Sequence, residues 1–338
     1  MNFRTLLVLL IHSVMGELDR RVITSLKYSM YRVKTTIVNG EPATNDKVPY
    51  IVSIKEPQAM VTAQDVFWTN LCGGSIIGEQ KVLTAAHCFE GSNYYYANNP
   101  HVLGVFAGTT KTSITHSGLT ETREDLQVRR IKYVVLHRKF HFPSNDIALV
   151  FVNVPWNYTD SVNFIVPAKR DLENYYQCVA SGYGRIGYAY GQPESDVLLV
   201  ARIRPMSKWQ CSTLWQMNMN TFVCTSSEVS DVARGDSGGP LACFDTGDPV
   251  EPPGKELLVG VVSGKNFDQT TLFTRVSAYH DWIERGGNLG CRLTPTVFTI
   301  IWIILIYLLF LLYSQLIAKR QWRISLKCKE INSIASIS

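Results

Sequence analysis

Short runs of β-branched and aromatic residues alternate with clusters of glycine, asparagine, proline and serine through most of the chain. The runs are Tyr50–Ile54, Ser75–Ile77, Lys81–Thr84, Val102–Phe106, Ile147–Val152, Val197–Ile203, Leu257–Val262 and Leu272–Val276. Runs of this length, separated by turn-forming residues, are typical of an all-β barrel protein. Few windows show a helical period before Ser277–Arg285, where we predict a short helix.

The N-terminal end departs from this β pattern. Residues 1–16 carry Arg4, an apolar run from Leu6 to Met15 and then Gly16, an order typical of a secretory signal peptide. A short disordered terminus is the alternative. Residues 17–36 contain five basic residues and no cysteine. We interpret them as a propeptide, with an extended linker as the alternative.

A second apolar segment lies near the C-terminus. Residues 296–318 are 23 consecutive uncharged residues, and a helix of that length crosses a hydrocarbon core of about 30 Å. A buried helix of a soluble domain is the alternative. The tail, residues 319–338, has five basic residues and one acidic residue. The positive-inside rule therefore predicts a single-pass membrane protein with a cytoplasmic tail, a juxtamembrane linker at 288–295 and an extracellular main domain.

Charge and cysteine content limit the kinds of partner and the cellular compartment to be expected. The tail accounts for +4 of the formal net charge of +5, which leaves about +1 for the rest of the chain. No broad basic surface is expected there, and we predict no nucleic-acid partner. Eight cysteines in a secreted chain indicate disulfide bonds, although spacing alone does not give their connectivity.

The segment Gly235–Pro240 reads Gly-Asp-Ser-Gly-Gly-Pro and presents Ser237 as a candidate nucleophile. A serine hydroxyl needs a base to take its proton and an acid to orient that base. His87, in Thr-Ala-Ala-His-Cys, offers the base, and Asp146, before an apolar run, offers the acid. Taken singly, a glycine turn, a structural histidine and a strand-edge aspartate are the alternatives. Together the three segments favour nucleophilic catalysis.

These segments resemble those of the chymotrypsin/trypsin-type serine proteases, in the same order along the chain. Further matching segments are Ile37–Gly40, Cys72–Ser75, Ser181–Gly184 and Tyr279–Ile283. The resemblance covers residues 37–287. It implies two packed six-stranded antiparallel β-barrels with a C-terminal helix, followed in this chain by the single transmembrane helix. The first barrel would supply His87 and Asp146, and the second Ser237.

The resemblance also implies a role for each site residue. Ser237 attacks the carbonyl of a protein or peptide substrate, His87 is the general base and Asp146 orients it, so that hydrolysis passes through an acyl-enzyme. The N–H groups of Gly235 and Ser237 form the oxyanion hole. No cofactor or metal is expected. The implied disulfide bonds are Cys72–Cys88, Cys178–Cys243 and Cys211–Cys224.

Activation by another protease is implied as well. In the family, cleavage frees an isoleucine ammonium that pairs with the aspartate before the nucleophile, which here would join Ile37 to Asp236. This chain has Thr35 and Thr36 before the isoleucine, where most members have Arg or Lys. We therefore expect a zymogen whose activator tolerates Thr36 or is followed by further trimming.

The specificity pocket combines a standard residue with unusual ones. Asp231 stands where trypsin-like members receive Arg or Lys, but Ala233 stands where a cysteine is usual. One wall of the pocket has Ser263-Gly264-Lys265 where the family has Ser-Trp-Gly. Opposite it, Thr271 stands where the family usually has glycine. Lys265 either pairs with Asp231 or repels a basic substrate. Cleavage after Arg or Lys is one expectation, and a different specificity is the other.

Three further segments lie where the family borders its substrate cleft: Tyr94–Tyr96, Phe140–Phe142 and a long loop at Glu56–Asn70. A sequon, Asn157-Tyr158-Thr159, predicts a glycosylated surface loop. The leading interpretation is a membrane-anchored serine endopeptidase made as a zymogen. The alternative is a protein of the same fold that binds or adheres without cleaving, because the activation sequence and the pocket are unusual.

Overall fold

The structure is a computed structural model that describes residues 40–62, 65–117, 125–171, 177–184, 195–226, 232, 235–266 and 270–287. The chain divides into two units, residues 1–287 and 288–338, and every described residue belongs to the first. The predicted signal peptide, propeptide, transmembrane helix and tail lie outside the described residues, as do Ile37, Asp231 and Ala233. Among the residues that are described, no helix has the length and apolar character needed to span a bilayer.

The first of two β-sheets is built from the first half of the chain. Its strands are β2 Ile51–Met60, β3 Asp65–Gly78, β4 Lys81–Thr84, β5 Gly104–Ala107, β6 Ile114–Ser117, β7 Gln127–Leu136 and β8 Ala148–Val152. The order is β2-β5-β7-β8-β4-β3-β6, and all pairings are antiparallel. Because β2 also pairs with β3, six of these strands close into a barrel and β6 extends it.

The second sheet contains the remaining described strands. They are β1 Glu41–Pro42, β9 Val166–Pro167, β10 Gln177–Gly182, β11 Leu199–Ile203, β12 Phe222–Ser226, β13 Pro240–Phe244, β14 Leu257–Asn266 and β15 Thr270–Arg275. The order is β1-β11-β10-β13-β14-β15-β12, with β9 parallel to β14. An isolated bridge joins Pro205, just after β11, to Thr225 in β12, the strand at the far end of this order.

Short helices connect the strands. They are α1 Gly91–Asn98, α2 Lys208–Trp215 and α3 His280–Glu284, with 3-10 turns at Ala86–Phe89, Pro100–Val102 and Val276–Tyr279. Helix α3 and the 3-10 turn before it together span residues 276–284. The predicted helix Ser277–Arg285 therefore differs from them by one residue at each end. Helix α2 was not predicted, although Ser207 and Gln210 form a capping box that marks its start.

The apolar runs became strands that are buried along nearly their whole length, as β4, β5, β8 and β15 are. Strand β4 has the predicted bounds Lys81–Thr84, and Val82 and Leu83 are fully buried. The prediction of an all-β chain with few helices is confirmed. The predicted loop at Glu56–Asn70 is wrong for most of its length, because β2 and β3 remain paired out to Met60 and Val66. Their main-chain hydrogen bonds satisfy polar groups that a loop would leave to water.

One apolar cluster joins the two halves. It fills the first barrel and reaches residues of the second half, including Tyr183, Leu198 and Ala242, while a second cluster fills the second sheet around Leu241 and Phe273. Burial of a single large apolar side chain stabilises a fold by about 1.5–3 kcal/mol. The two halves of the described structure are therefore joined by a shared apolar core.

Candidate active site

His87 and Asp146 meet at one edge of the first barrel because of strand register. Strands β4 and β8 are antiparallel neighbours, with Thr84 opposite Ala148. His87 lies three residues beyond that pair on one strand, and Asp146 two residues before it on the other. His87 Nδ1 is 2.7 Å from Asp146 Oδ2, and the His87 main-chain N–H donates to Asp146 Oδ1 over 2.9 Å. The carboxylate thus fixes both the ring and the backbone of the histidine.

Asp146 is fully buried, and the second sheet surrounds it with donors. Ser263 Oγ donates to its Oδ2 over 2.5 Å, and Thr274 Oγ1 donates to its main-chain oxygen over 2.7 Å. Burial alone would raise the pKa of this carboxyl, but the charge and hydrogen bonds of His87, together with the Ser263 hydroxyl, bring the pKa below its ordinary value. Asp146 is therefore an anion that links the two halves of the site.

The His87 ring is oriented for proton transfer. An ionised carboxylate only accepts hydrogen bonds, so Nδ1 carries the hydrogen, and in the neutral ring Nε2 is left as the acceptor. Burial lowers the pKa of the imidazole, but the negative charge and hydrogen bond of Asp146 outweigh it and raise the pKa above its ordinary value. The ring is consequently a stronger base than a free histidine.

The candidate nucleophile lies on a turn that packs against the first barrel. Ser237 is half-buried, and its main-chain oxygen accepts a 2.7 Å hydrogen bond from the Gly73 N–H. The next residue, Gly238, has φ +78°, and a Cβ there would lie 2.1 Å from Thr84 Oγ1. Thr84 ends β4, three residues before His87. The turn therefore brings Ser237 to the same edge of the barrel as the histidine.

Gly235, the first residue of this turn, has φ +101°, a conformation that favours glycine. A Cβ at this position would meet the Gly184 Cα at 2.9 Å. Its main-chain oxygen accepts a 2.8 Å hydrogen bond from Asn70 Nδ2, and Ser53 Oγ donates to Asn70 Oδ1. Sequence reasoning missed this buried pair, since an asparagine at a strand position carries no motif. The pair fixes the peptide that follows Gly235.

Asp236 is fully buried between two glycines. Its Oδ1 accepts a 2.8 Å hydrogen bond from the Gly184 N–H. A Cβ on Gly182 would lie 2.0 Å from Oδ1, and one on Gly184 would lie 2.7 Å from Cγ. The expected Ile37 partner lies outside the described residues. The two glycines of the Ser181–Gly184 segment therefore leave the space that the Asp236 carboxylate occupies.

The expected pocket residues are placed along β14 and β15. Lys265 lies opposite Thr271 in the strand pairing, and Thr271 is fully buried. Lys265 Nζ donates to the Val232 oxygen over 3.3 Å, so its charge lies beside the residue that follows Asp231. Ser263 lies on β14 within the predicted wall segment, and its hydroxyl donates to Asp146.

Three disulfide bonds join described cysteines, with the partners that the resemblance implied. They are Cys72–Cys88, Cys178–Cys243 and Cys211–Cys224. The first lies close to His87, within 4.8 Å of a ring nitrogen. Because both sulfurs are oxidised, this group offers no thiolate to a metal ion. The bond instead links β3 to the turn that carries the histidine.

The sequence profile described as Trypsin matches residues 37–283 of the chain. The chain belongs to the trypsin family. Serine protease 1 and Serine protease 2 of Drosophila melanogaster are each 30% identical to this trypsin-family protein over 264 residues, which is 75% of its length and 86% of theirs. Chymotrypsin-C of Mus musculus is 31% identical over 262 residues, covering 73% of this chain and 87% of the mouse protein.

In this member of the trypsin family, the described structure brings together His87, Asp146 and Ser263 by hydrogen bonds, and it sets the turn around Ser237 against β4. It does not describe Ile37 or Asp231. Residues beyond the expected set also take part: Asn70 and Ser53 behind the turn, and Thr274 behind Asp146. Their positions depend on contacts between the two sheets, which no local sequence pattern reveals.

Proposed function

We propose that this serine endopeptidase of the trypsin family cleaves protein or peptide substrates with Ser237 as nucleophile, His87 as general base and Asp146 as the orienting acid. The observation that carries the proposal is the buried Asp146 carboxylate, which binds His87 Nδ1 at 2.7 Å and the His87 N–H at 2.9 Å. That arrangement leaves Nε2 to accept the proton of the serine. Hydrolysis then proceeds through an acyl-enzyme.

The oxyanion of the tetrahedral intermediate would bind the N–H groups of Gly235 and Ser237. Each donor of this kind lowers the barrier by about 3 kcal/mol in comparable sites. The positive φ of Gly235 and the Asn70 hydrogen bond to its oxygen support this role, because they fix the backbone before substrate arrives. No cofactor is required, since base, acid and oxyanion donors come from the chain itself.

Activation would follow cleavage before Ile37 in a zymogen. The enclosed Asp236 carboxylate supports this step, because a buried anion is a strong acceptor for a newly formed ammonium group. The activating protease must accept Thr36 or be followed by trimming. Sequencing the N-terminus of the active form tests this, and full activity in a form that begins at Thr35 would refute the Ile37–Asp236 pair.

The protein would act outside the cell while attached to a membrane. The sequence of residues 1–16 supports secretion, and the uncharged segment 296–318 supports a single C-terminal anchor with the basic tail in the cytoplasm. Asn157 is exposed, which suits glycosylation at its sequon. Protease treatment of intact cells tests the orientation, because a cytoplasmic tail is then protected by the membrane. Digestion of an added C-terminal epitope from the outside would overturn it.

The pocket residues that would select the substrate residue before the scissile bond depart from the usual family pattern. Asp231 favours Arg or Lys, whereas the Lys265 ammonium beside Val232 disfavours them through like-charge repulsion. We infer that this repulsion weakens basic specificity relative to that of a pocket with Asp231 alone. Peptide panels that vary only the residue before the scissile bond give the answer directly.

Labelling with a fluorophosphonate tests the catalytic proposal itself. Active full-length protein should react at Ser237, and Ser237→Ala should abolish both labelling and peptide cleavage while leaving the thermal midpoint unchanged. Thr213→Ala, on the exposed face of α2, is a suitable control hydroxyl variant that should label fully. Absence of labelling after cleavage before Ile37 would instead favour the alternative, a binding protein that does not cleave.

A further inference from the structure

Lys55 is a buried cation that the proposed mechanism does not use. It lies on β2, and its side chain is fully enclosed. Its Nζ donates hydrogen bonds to the main-chain oxygen of Thr112 over 2.5 Å and to that of Lys111 over 3.3 Å. Enclosing an ammonium group is unfavourable unless other groups replace the water that it loses. The position of this group therefore depends on the residues that surround it.

Two aromatic rings also face the Lys55 ammonium group. Its Nζ lies 5.7 Å from the centroid of the Phe106 ring and 5.2 Å from that of the Tyr183 ring. A cation at these distances is attracted to the electron-rich face of a ring. Phe106 belongs to β5 in the first sheet, whereas Tyr183 directly follows β10 in the second. Lys55 therefore connects the first sheet with a residue of the second half.

Tyr183 is the central residue of the segment that encloses Asp236. Its neighbours are Gly182 and Gly184, and the Gly184 N–H donates to Asp236 Oδ1 over 2.8 Å. The Gly184 Cα also lies 2.9 Å from where a Cβ on Gly235 would be, so the backbone at Gly235 packs directly on this segment. A shift of Tyr183 would consequently move the backbone that supports the proposed oxyanion donor.

The stretch 109–112, to which Lys55 is hydrogen-bonded, contacts the second half as well. The oxygen of its first residue, Thr109, accepts a 2.7 Å hydrogen bond from Tyr183 Oη. The oxygen of its second residue accepts a 2.6 Å hydrogen bond from the Leu198 N–H. Lys55 thus holds Tyr183 in two ways, directly at the face of its ring and indirectly through the backbone that binds its hydroxyl.

We propose that Lys55 is a positioning residue for the oxyanion hole and acts through Tyr183 and the Gly184 backbone. The ammonium group fixes the tyrosine, the tyrosine fixes the segment around Asp236, and that segment sets the direction of the Gly235 N–H. Because Lys55 is fully enclosed, it acts on the reaction only through these residues. This proposal rests on the proposed endopeptidase activity and deepens it, since it assigns a buried charge to the chemical step.

Kinetics of the full-length protein, activated until it labels with fluorophosphonate, test this role. Lys55→Met keeps most of the side-chain volume without the charge. We expect kcat to fall about tenfold while KM changes less than about twofold, because an oxyanion donor acts in the transition state. The rate constant for fluorophosphonate labelling should fall in parallel, since the phosphoryl oxygen uses the same donors. Lys132→Met, at an exposed position of β7, is the control and should leave all three values unchanged.

Replacing each ring that faces Lys55 separates positioning from general destabilisation. Tyr183→Leu removes the ring that leads to Gly184, whereas Phe106→Leu removes the ring that lies within the first sheet. Both variants should have a lower thermal midpoint, but only Tyr183→Leu should have a lower kcat when each is measured well below its midpoint. Combining Tyr183→Leu with Lys55→Met should add little to the loss of kcat, because the two residues act in series.

The outcomes distinguish this proposal from the function on which it rests. Normal kcat and labelling in Lys55→Met, or a change confined to KM, would overturn the proposal and leave Lys55 with a purely structural role. If Lys55→Met does not fold, normal kcat in Tyr183→Leu overturns the proposal in the same way. Failure of the unmodified protein to label or cleave would instead refute the endopeptidase function.

Discussion

The two sides of the site are fixed by different parts of the chain. On the catalytic side, the turn Gly235–Gly239 is held by main-chain hydrogen bonds to Gly73 and Val262, and a Cβ on Gly238 or Gly239 would clash with backbone oxygens. On the substrate side, the wall Ser263–Lys265 owes its character to side chains: the Phe142 ring, the Lys265 ammonium and the buried Thr271. A side chain at Gly238 or Gly239 would collide with the backbone, whereas the side chains that form the wall can be replaced without such a collision. Under the proposed roles, the position of the nucleophile therefore depends on backbone packing, and the choice of substrate depends on side chains.

Asp146 belongs to both sides, and its charge should have the largest effect. We expect Asp146→Asn to lower kcat/KM by about 10⁴-fold, because the neutral amide no longer fixes the Nδ1–H tautomer of His87. The carboxylate raises the pKa of His87, and catalysis needs the neutral ring. On the acid side of the pH–rate profile, wild-type activity should therefore fall with a midpoint above the ordinary histidine pKa of about 6.5. The residual activity of the variant should fall at a lower pH. A pH profile with an unmoved limb would contradict this account.

The catalytic turn should reject a single methyl group. Gly238→Ala puts a Cβ 2.6 Å from the Gly73 oxygen in addition to the unfavourable positive φ, so we expect a loss of about 3 kcal/mol in the free energy of unfolding and a large loss of activity. Gly247→Ala is the matched control, since Gly247 has φ +74° and open space around it. It should lose only about 1–2 kcal/mol and retain activity. Equal losses in chemical denaturation would show that packing is not what distinguishes the turn.

Removing the hydrogen bond between Ser263 on the wall and Asp146 should have an effect of intermediate size. Ser263→Ala removes a hydrogen bond to an ionised group, for which a loss of about 1.5–3 kcal/mol is typical. We expect kcat to fall about 20-fold with little change in KM, because the Asp146 carboxylate is less well held. Ser212→Ala, whose hydroxyl donates to a main-chain oxygen within α2, is the control and should have normal kinetics. A pure KM effect would place Ser263 among substrate contacts instead.

Lys265 should have the smallest effect on rate and an effect confined to specificity. Lys265→Gln removes a positive charge from the wall, so kcat/KM for peptides with Arg before the scissile bond should rise about fivefold relative to those with Leu. Lys208→Gln, at an exposed ion pair with Asp171, is the control and should alter neither ratio. The ratio should respond to salt in the wild type, because salt screens a charge that is only partly buried. No change in the ratio would mean that the ammonium does not reach the substrate.

Sequence reasoning succeeded where a feature is local. The β4 segment and the Gly235–Pro240 segment are each written in consecutive residues: β4 has the predicted bounds, and Gly235–Pro240 forms a turn that packs against the first barrel. The disulfide partners followed from the family resemblance and not from the spacing of the cysteines. Sequence reasoning failed where partners come from distant strands. The hydrogen bond from Ser263 to Asp146 is missed in this way, because the two residues are more than a hundred positions apart in the chain. Asn70 was assigned to a loop because alternating polar residues in β2 and β3 hide their pairing.

The disulfide bonds have a consequence for how the enzyme is assembled. Each of the three joins cysteines within one half of the chain, so none of them staples the two described sheets together. The sheets instead meet through the shared apolar cluster and through hydrogen bonds, three of which lie at the site: from Gly73 to Ser237, from Asn70 to Gly235 and from Ser263 to Asp146. We therefore expect the halves to behave as complementary fragments that recognise each other through the apolar cluster and the candidate active site together. Fragments separated in the connection after β8 should regain activity on mixing, at a rate that is second order in concentration.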